Sequence, residues 1–195
     1  YGQALSSALI LESIDLPEKT EIGLNLSVIG IGGGIQKLAA NKKSSWGINY
    51  NYSNLWLAFN VIKQKQDYFK YPVFNEGDAN FRIKTKQGMT KYYGYLSSGQ
   101  MGNRTPDIDS AVLNNAFSLE NLNIYQNLNI RENLGNGWKL FSGLSVSTNK
   151  DDISNELQDA DNKQQIITNP IGYAFKNYKL LSKSLYSQVR LVMEE

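Results

Sequence analysis

The sequence has no cysteine, no histidine and only 4 prolines in 195 residues. Without cysteine there is no disulfide scaffold, no zinc finger and no thiol nucleophile. Without histidine most catalytic triads, imidazole metal sites and the usual general base are excluded as well. Excess charge of one sign is also missing. Lys and Arg number 20 against 18 Asp and Glu, and the basic residues form no block. A nucleic-acid partner, which needs a clustered basic face, is therefore not expected. No run of about 18 apolar residues occurs, so no transmembrane helix is expected. The opening Tyr1-Gly2-Gln3-Ala4 lacks the charged and apolar regions of a signal peptide.

What is present is alternation. From residue 122 the even positions read Leu122, Ile124, Gln126, Leu128, Ile130, and the odd ones Asn121, Asn123, Tyr125, Asn127, Asn129, Arg131. After Leu134-Gly135-Asn136-Gly137 the pattern resumes with Trp138, Leu140, Ser142, Leu144 and Val146 opposite Lys139, Ser145, Ser147 and Asn149. A two-residue period is that of a strand with two unlike faces, and Asn-Gly supplies the positive-φ residues of a tight hairpin. The same grammar recurs at Ile22 to Val28, Trp46 to Tyr52, Ala79 to Lys84, Met89 to Ser98 and Leu185 to Met193, with a weaker strand near 171–178. The fold class expected is all-β, an antiparallel meander joined by hairpins.

Connection lengths carry a second pattern. Short turns are expected at 41–45, 86–88, 132–137 and 179–184, and long connections at 54–77, 99–117 and 150–169. Short and long alternate, so the long ones leave from one end of the sheet, as in outer-membrane barrels. There the apolar face meets lipid and the lumen is polar. Trp46, Tyr92, Tyr95 and Trp138 stand toward strand ends, where an interfacial aromatic girdle is expected. Residues 28–38 are expected to hold a break between two strands. With Gly32-Gly33-Gly34 as a bend they give strands near 20–30 and 34–40, and nine strands in all. Nine is odd, whereas single-chain bacterial barrels have an even number, so the chain is expected to be a piece of a larger barrel.

The N-terminal stretch Tyr1-Gly2-Gln3-Ala4-Leu5-Ser6-Ser7-Ala8-Leu9-Ile10-Leu11-Glu12-Ser13 resembles the end of the plug domain in TonB-dependent outer-membrane receptors. In that family a Tyr-Gly-x-x-Ala-x-x-Gly stretch leads through an apolar strand toward the barrel. Here Ser7 and Ala8 stand where small glycines are usual, and Glu12-Ser13 where Thr-Lys is typical. Asp15-Leu16-Pro17-Glu18 is similar to the linker from plug to barrel. Tyr52-Ser53-Asn54-Leu55, with the aromatic segment behind it, resembles receptors of the Bacteroidota lineage. The resemblance implies residues 1–18 as the end of the plug and its linker, and 19–195 as the first part of a transmembrane β-barrel of about 22 strands. It implies uptake of a scarce ligand (a siderophore, cobalamin or a glycan), with outer-membrane lipid as surroundings. TonB would be engaged through an N-terminal motif outside this sequence, no cofactor is implied, and no covalent chemistry is expected.

Candidate contact residues cluster in the first long connection: Trp56, Phe59, Tyr68, Phe69, Tyr71 and Phe74. Aromatic faces of this kind stack on sugar rings and flat chelates. Local packing, or a place in the girdle, is the competing role. Arg82, Lys84, Tyr125, Arg131 and Arg190 fall on the polar face, as lumen lining or as structural hydrogen-bonding groups. Gly30-Ile31-Gly32-Gly33-Gly34 is followed by Ile35 and by no Lys-Ser/Thr, so it meets neither nucleotide fingerprint. Asp151, Asp152, Glu156, Asp159 and Asp161 read as a solvated loop rather than a Ca²⁺ site, for they lack the EF-hand glycine and terminal Glu. The alternative architecture is a self-contained small barrel, either a lipocalin-like binder or an eight-strand structural outer-membrane protein. An enzyme would have to rely on paired carboxylates, and no strand offers such a pair on its polar face.

Overall fold

A computed structural model describes residues 15–62, 66–110, 112–165 and 176–195. Eight strands form one sheet: β1 (Glu21–Ser27), β2 (Gly30–Leu38), β3 (Ser44–Asn54), β4 (Asp67–Lys84), β5 (Gly88–Pro106), β6 (Asn114–Gly135), β7 (Trp138–Gln158) and β8 (Tyr178–Glu194). Among the described residues one short helix, α1 (Trp56–Ile62), lies between β3 and β4. Strand order follows chain order and every neighbouring pair is antiparallel. The fold is thus an all-β meander, and the sheet is open: among the described residues β1 and β8 each pair on one side only.

Seven ladders keep one alternation in register across the sheet. Ile22, Ile35, Ile48 and Ala79 are successive cross-strand partners. Trp46, Phe81, Tyr92, Leu128, Leu144 and Val189 form the next such row. The opposite face carries rows such as Asn51, Glu76, Ser97, Asn123 and Asn149. The apolar face is bare, with Leu24 84 % and Val189 75 % exposed. Ala58, Met89, Ala116 and Leu157 are the buried apolar side chains among the described residues. The exposed surface is 14054 Å², where a compact chain of 21.9 kDa exposes about 9,300 Å². Each large aliphatic side chain left in water forgoes roughly 1.5–3 kcal/mol of burial. Backbone pairing alone therefore shapes the sheet, and its apolar face needs a cover.

The structure corrects the expected elements at four places. The turn between the first two strands is residues 28–29, not the glycine run. Gly32 and Gly34 sit inside β2, opposite Asn51 and Asn49. A Cβ at either glycine would collide with those asparagine side chains, so the glycines make room on the polar face. Residues 179–184 form no turn but lie within β8, paired to β7 from Asp151↔Ser182 to Ser154↔Lys179. The adjacent Leu180 and Leu181 point to opposite faces, which hides the alternation in the sequence. The expected strand at 171–178 lies outside the described residues except for its last positions; the described residues hold eight strands. Tyr95 leaves the girdle: its partners Asp78 and Tyr125 place it on the polar face, whereas Trp46 and Tyr92 share the apolar one.

The fourth correction is strand length. Most of the expected loop residues at 67–77, 99–106, 114–117 and 150–158 are strand. β6 has 22 residues and β7 has 21, so β6 is roughly 70 Å long. Either strand is about twice the 9–11 residues a spanning strand would need. The end asymmetry itself is present. Connections 39–43, 85–87 and 136–137 close one end, while 55–66, 107–113 and 159–177, with the tight 28–29 turn, close the other.

The β6–β7 turn depends on its backbone. Asn136 has φ 52° and Gly137 φ 88°, values that side chains other than Asn resist. Replacing Gly137 with Ala is expected to cost about 1–2 kcal/mol, while Asn136→Gly should change stability little; equilibrium unfolding of the two variants checks this.

Candidate functional site

The six aromatic residues of the first long connection are placed by α1 and the first half of β4. Asn54 Oδ1 accepts the Trp56 N–H at 2.9 Å, an Asx turn that starts the helix. Leu55 N–H donates to Pro72 O at 3.0 Å and ties the helix to β4. Pro72 has no N–H for the ladder, and β4 bulges between Tyr68 and Lys70 and again between Lys70 and Val73. The bulges turn neighbouring rings to different sides. Phe59 stacks on Tyr68 at 4.9 Å between centroids, and Tyr68 on Tyr71 at 6.0 Å. Phe69 lies on the other side, against Gly102, with the Arg104 guanidinium 4.7 Å from its ring centre. Phe74 sits farther down the polar face, over Gly99. Trp56 is half exposed and is not part of the stack.

Three of the six expected residues are thus brought together, one is diverted into a cation–π contact, and two stand apart. The stack is half-buried and continues onto the polar face, where Tyr68 opposes Asn103. Its chemistry is that of a flat apolar platform with Asn103 opposite one ring. Sequence reasoning did not single out the amide contacts farther along the polar face. Asn49 Nδ2 donates to Asp78 at 3.0 Å, Asn123 Nδ2 to Ser97 at 3.3 Å and Asn127 Nδ2 to Tyr125 at 2.8 Å. The asparagine alternation in β6 was the available signal; its hydrogen-bond partners on β5 and β7 were not.

Arg82, Lys84, Tyr125, Arg131 and Arg190 share the polar face by register, as expected. At the short-turn end that face holds a cleft of about 580 Å³ lined by Asp15, Lys91, Asn129, Arg131, Gln188 and Arg190 among others. Asp15 bridges Lys91 Nζ at 2.9 Å and Arg131 Nη2 at 3.0 Å. The Lys91 hydrogen bond, helped by both cationic charges, holds the Asp15 carboxyl below its ordinary value.

The acidic run is dispersed rather than gathered. Asp151 meets Asn121, Asp152 lies 3.7 Å from Lys179, and Glu156 accepts from Gln158. Asp159 Oδ1 closes a turn by accepting the Asp161 and Lys163 N–H groups, both at 2.9 Å. Among the described residues no three carboxylates converge on a point where a metal ion would sit.

At the long-connection end Lys176 reaches across to 107–113. Its Nζ lies 2.8 Å from Asp107 and 2.6 Å from Asp109, and Asn115 Nδ2 donates to Asp107 at 2.9 Å. The Asp107 side chain is only 3 % exposed. The Lys176 hydrogen bond holds Asp107 below its ordinary 3.8, and the Asp107 and Asp109 bonds hold Lys176 above its ordinary 10.5.

The chain matches no family model, no curated protein and no solved structure.

The clasp has a defined pH window. A lowered carboxylate stabilises the fold above its unfolded value and loses that contribution as pH falls through the native one. A raised ammonium stabilises below its unfolded value and loses that as pH rises through the native one. Proteolysis of residues 107–113 is therefore expected to be slow at neutral pH and to quicken once acid protonates Asp107. In Lys176→Gln, which leaves Asp107 buried beside no cation, it should be fast at neutral pH as well.

Proposed function

We propose that the chain forms part of the wall of a TonB-dependent outer-membrane receptor, importing a scarce ligand such as a siderophore, cobalamin or a glycan. Residues 19–195 then supply barrel strands, and residues 1–18 the end of the plug with its linker. TonB acts through a part of the receptor outside this sequence. No residue is assigned a catalytic role.

The observation that carries this proposal is the apolar band. On that face, from Ile22 to Leu26 on β1 through to Leu185 to Met193 on β8, the band positions of neighbouring strands hold no Asp, Glu, Lys or Arg; Lys37 stands at the rim. Two polar side chains within it are satisfied internally. Tyr92 Oη donates to Gln126 at 3.3 Å, and Thr148 Oγ1 donates to the Ser184 carbonyl at 3.0 Å. That is the treatment polar groups need in hydrocarbon. The opposite face is lined by Asn, Ser, Tyr and charged residues, as a lumen is. Asp15, clamped on that face at the short-turn end, suits a linker that enters the barrel from the periplasmic side. The aromatic stack at the other end suits ligand capture.

A self-contained eight-strand barrel is the second reading, and the even strand count among the described residues favours it. The β1 and β8 edges, unpaired among the described residues, favour the larger barrel, since a closed barrel has none.

A charge separates the two faces. Leu144→Arg near the middle of the band is expected to cost about 2–4 kcal/mol of stability in lipid, and Ser145→Arg on the polar face little; equal effects contradict a lipid-facing band. Uptake of labelled ferric siderophore, cobalamin or oligosaccharide by intact cells, stopped by a protonophore, is the result expected of a receptor. A structural barrel takes up none of them in an energy-dependent way.

A further inference from the structure

Beyond the apolar band, on the same face and toward the long connections, the strands carry charge. Lys150 of β7 and Lys183 of β8 come first, level with Leu122 of β6. Glu120 and Asp152 follow, and then Lys179. The acids of this rim are engaged by cations farther from the band. Lys70 Nζ lies 2.5 Å from Glu120, Arg104 3.4 Å from Asp67, and Lys179 3.7 Å from Asp152. Lys150 and Lys183 face each other as direct partners in the β7–β8 ladder, and both are exposed. Among the described residues neither has a carboxylate at ion-pair distance.

Two like charges directly opposite each other destabilise a strand pair. An anion held between them turns that repulsion into a two-point grip. At the other end of the band the same face carries one strand residue of each sign, Lys37 on β2 and Glu132 on β6, on strands that do not touch. The cationic pair is therefore specific to one border of the band. A phosphate at the edge of the hydrocarbon lies at that level, and long lysine side chains reach along apolar surface to meet it.

We propose that Lys150 and Lys183 bind the phosphorylated headgroup of a membrane lipid in the leaflet on the long-connection side, its acyl chains lying along Leu122, Val146 and Leu185. This rests on the lipid-facing band argued above. Lys179, held by Asp152, stands behind the pair as a reserve cation. The grip is electrostatic, so it asks for phosphate charge rather than for a particular sugar.

The test uses the full-length receptor in a phosphate-free maltoside detergent, titrated with a diphosphorylated glycolipid and with its dephosphorylated form, bound lipid being counted by native mass spectrometry. An interfacial lysine contributes roughly a fivefold factor in affinity for anionic lipid, so K150Q/K183Q is expected to bind the phosphorylated form about 30-fold more weakly. The arginine pair K150R/K183R, which keeps both charges, should bind as the native protein does. The single variants K150Q and K183Q, about fivefold each, carry the same test if the double variant does not fold. Unchanged binding in K150Q/K183Q overturns the site, and so does equal binding of the dephosphorylated lipid. Displacement of the lipid by inorganic phosphate at the lipid's own concentration overturns the lipid as its occupant. If Leu144→Arg and Ser145→Arg behave alike, the membrane reading itself has failed; if they differ and K150Q/K183Q still binds, only the lysine site has.

Discussion

Everything in this structure depends on one register. Seven antiparallel ladders hold the alternation of eight strands in phase, so that one face carries an apolar band bordered by charge and the other is rich in asparagines, serines and charged residues. A slip of one residue in any ladder would carry a whole strand's apolar set to the polar side. The register therefore makes a single large apolar surface, and nothing in the described structure covers it. An apolar surface of that extent on a soluble monomer is an aggregation hazard. In a bilayer it is the part that holds the protein in place.

The two ends of the sheet are unlike for reasons that can be named. At the short-turn end a positive-φ Asn-Gly pair closes β6 onto β7 in two residues, and Asp15 is clamped between Lys91 and Arg131. At the other end the strands run on past the apolar band. There α1 packs its aromatic ring against a bulged β4, and Lys176 ties 107–113 through a buried carboxylate. The first end is economical and fixed. The second is built from long pieces joined by side-chain contacts, which is where a ligand-contacting surface is found on a rigid scaffold.

How much of this was legible follows from which signals are local. The β6–β7 hairpin was plain because period-two alternation and an Asn-Gly turn coincide. The β1–β2 turn was displaced because Val28 and Ile29, two β-branched residues with no turn chemistry, make it, while the glycines beside them serve side-chain space. β8 was cut short because Leu180-Leu181 breaks the apparent alternation, although both leucines take their regular places in the ladder. Strand extension in β4 was hidden by Pro72 and the bulges around Tyr71. Of the site, the aromatic cluster was readable as composition, but which rings meet was not. Stacking of Phe59 on Tyr68 and the pairing of Phe69 with Arg104 depend on bulge geometry and on a strand more than thirty positions away.

The central claim, that the register turns one face of the sheet toward lipid and the other toward water, is open to a direct measurement. The chain has no cysteine, so a single cysteine placed at each position of 140–148 in β7 reports alone. With the full-length protein in lipid vesicles, each is probed by an aqueous maleimide and by a lipid-borne quencher of an attached fluorophore. The even positions are expected to be quenched from the lipid and spared by the maleimide, and the odd positions the reverse. Aqueous labelling at every position, or a period other than two, would contradict it.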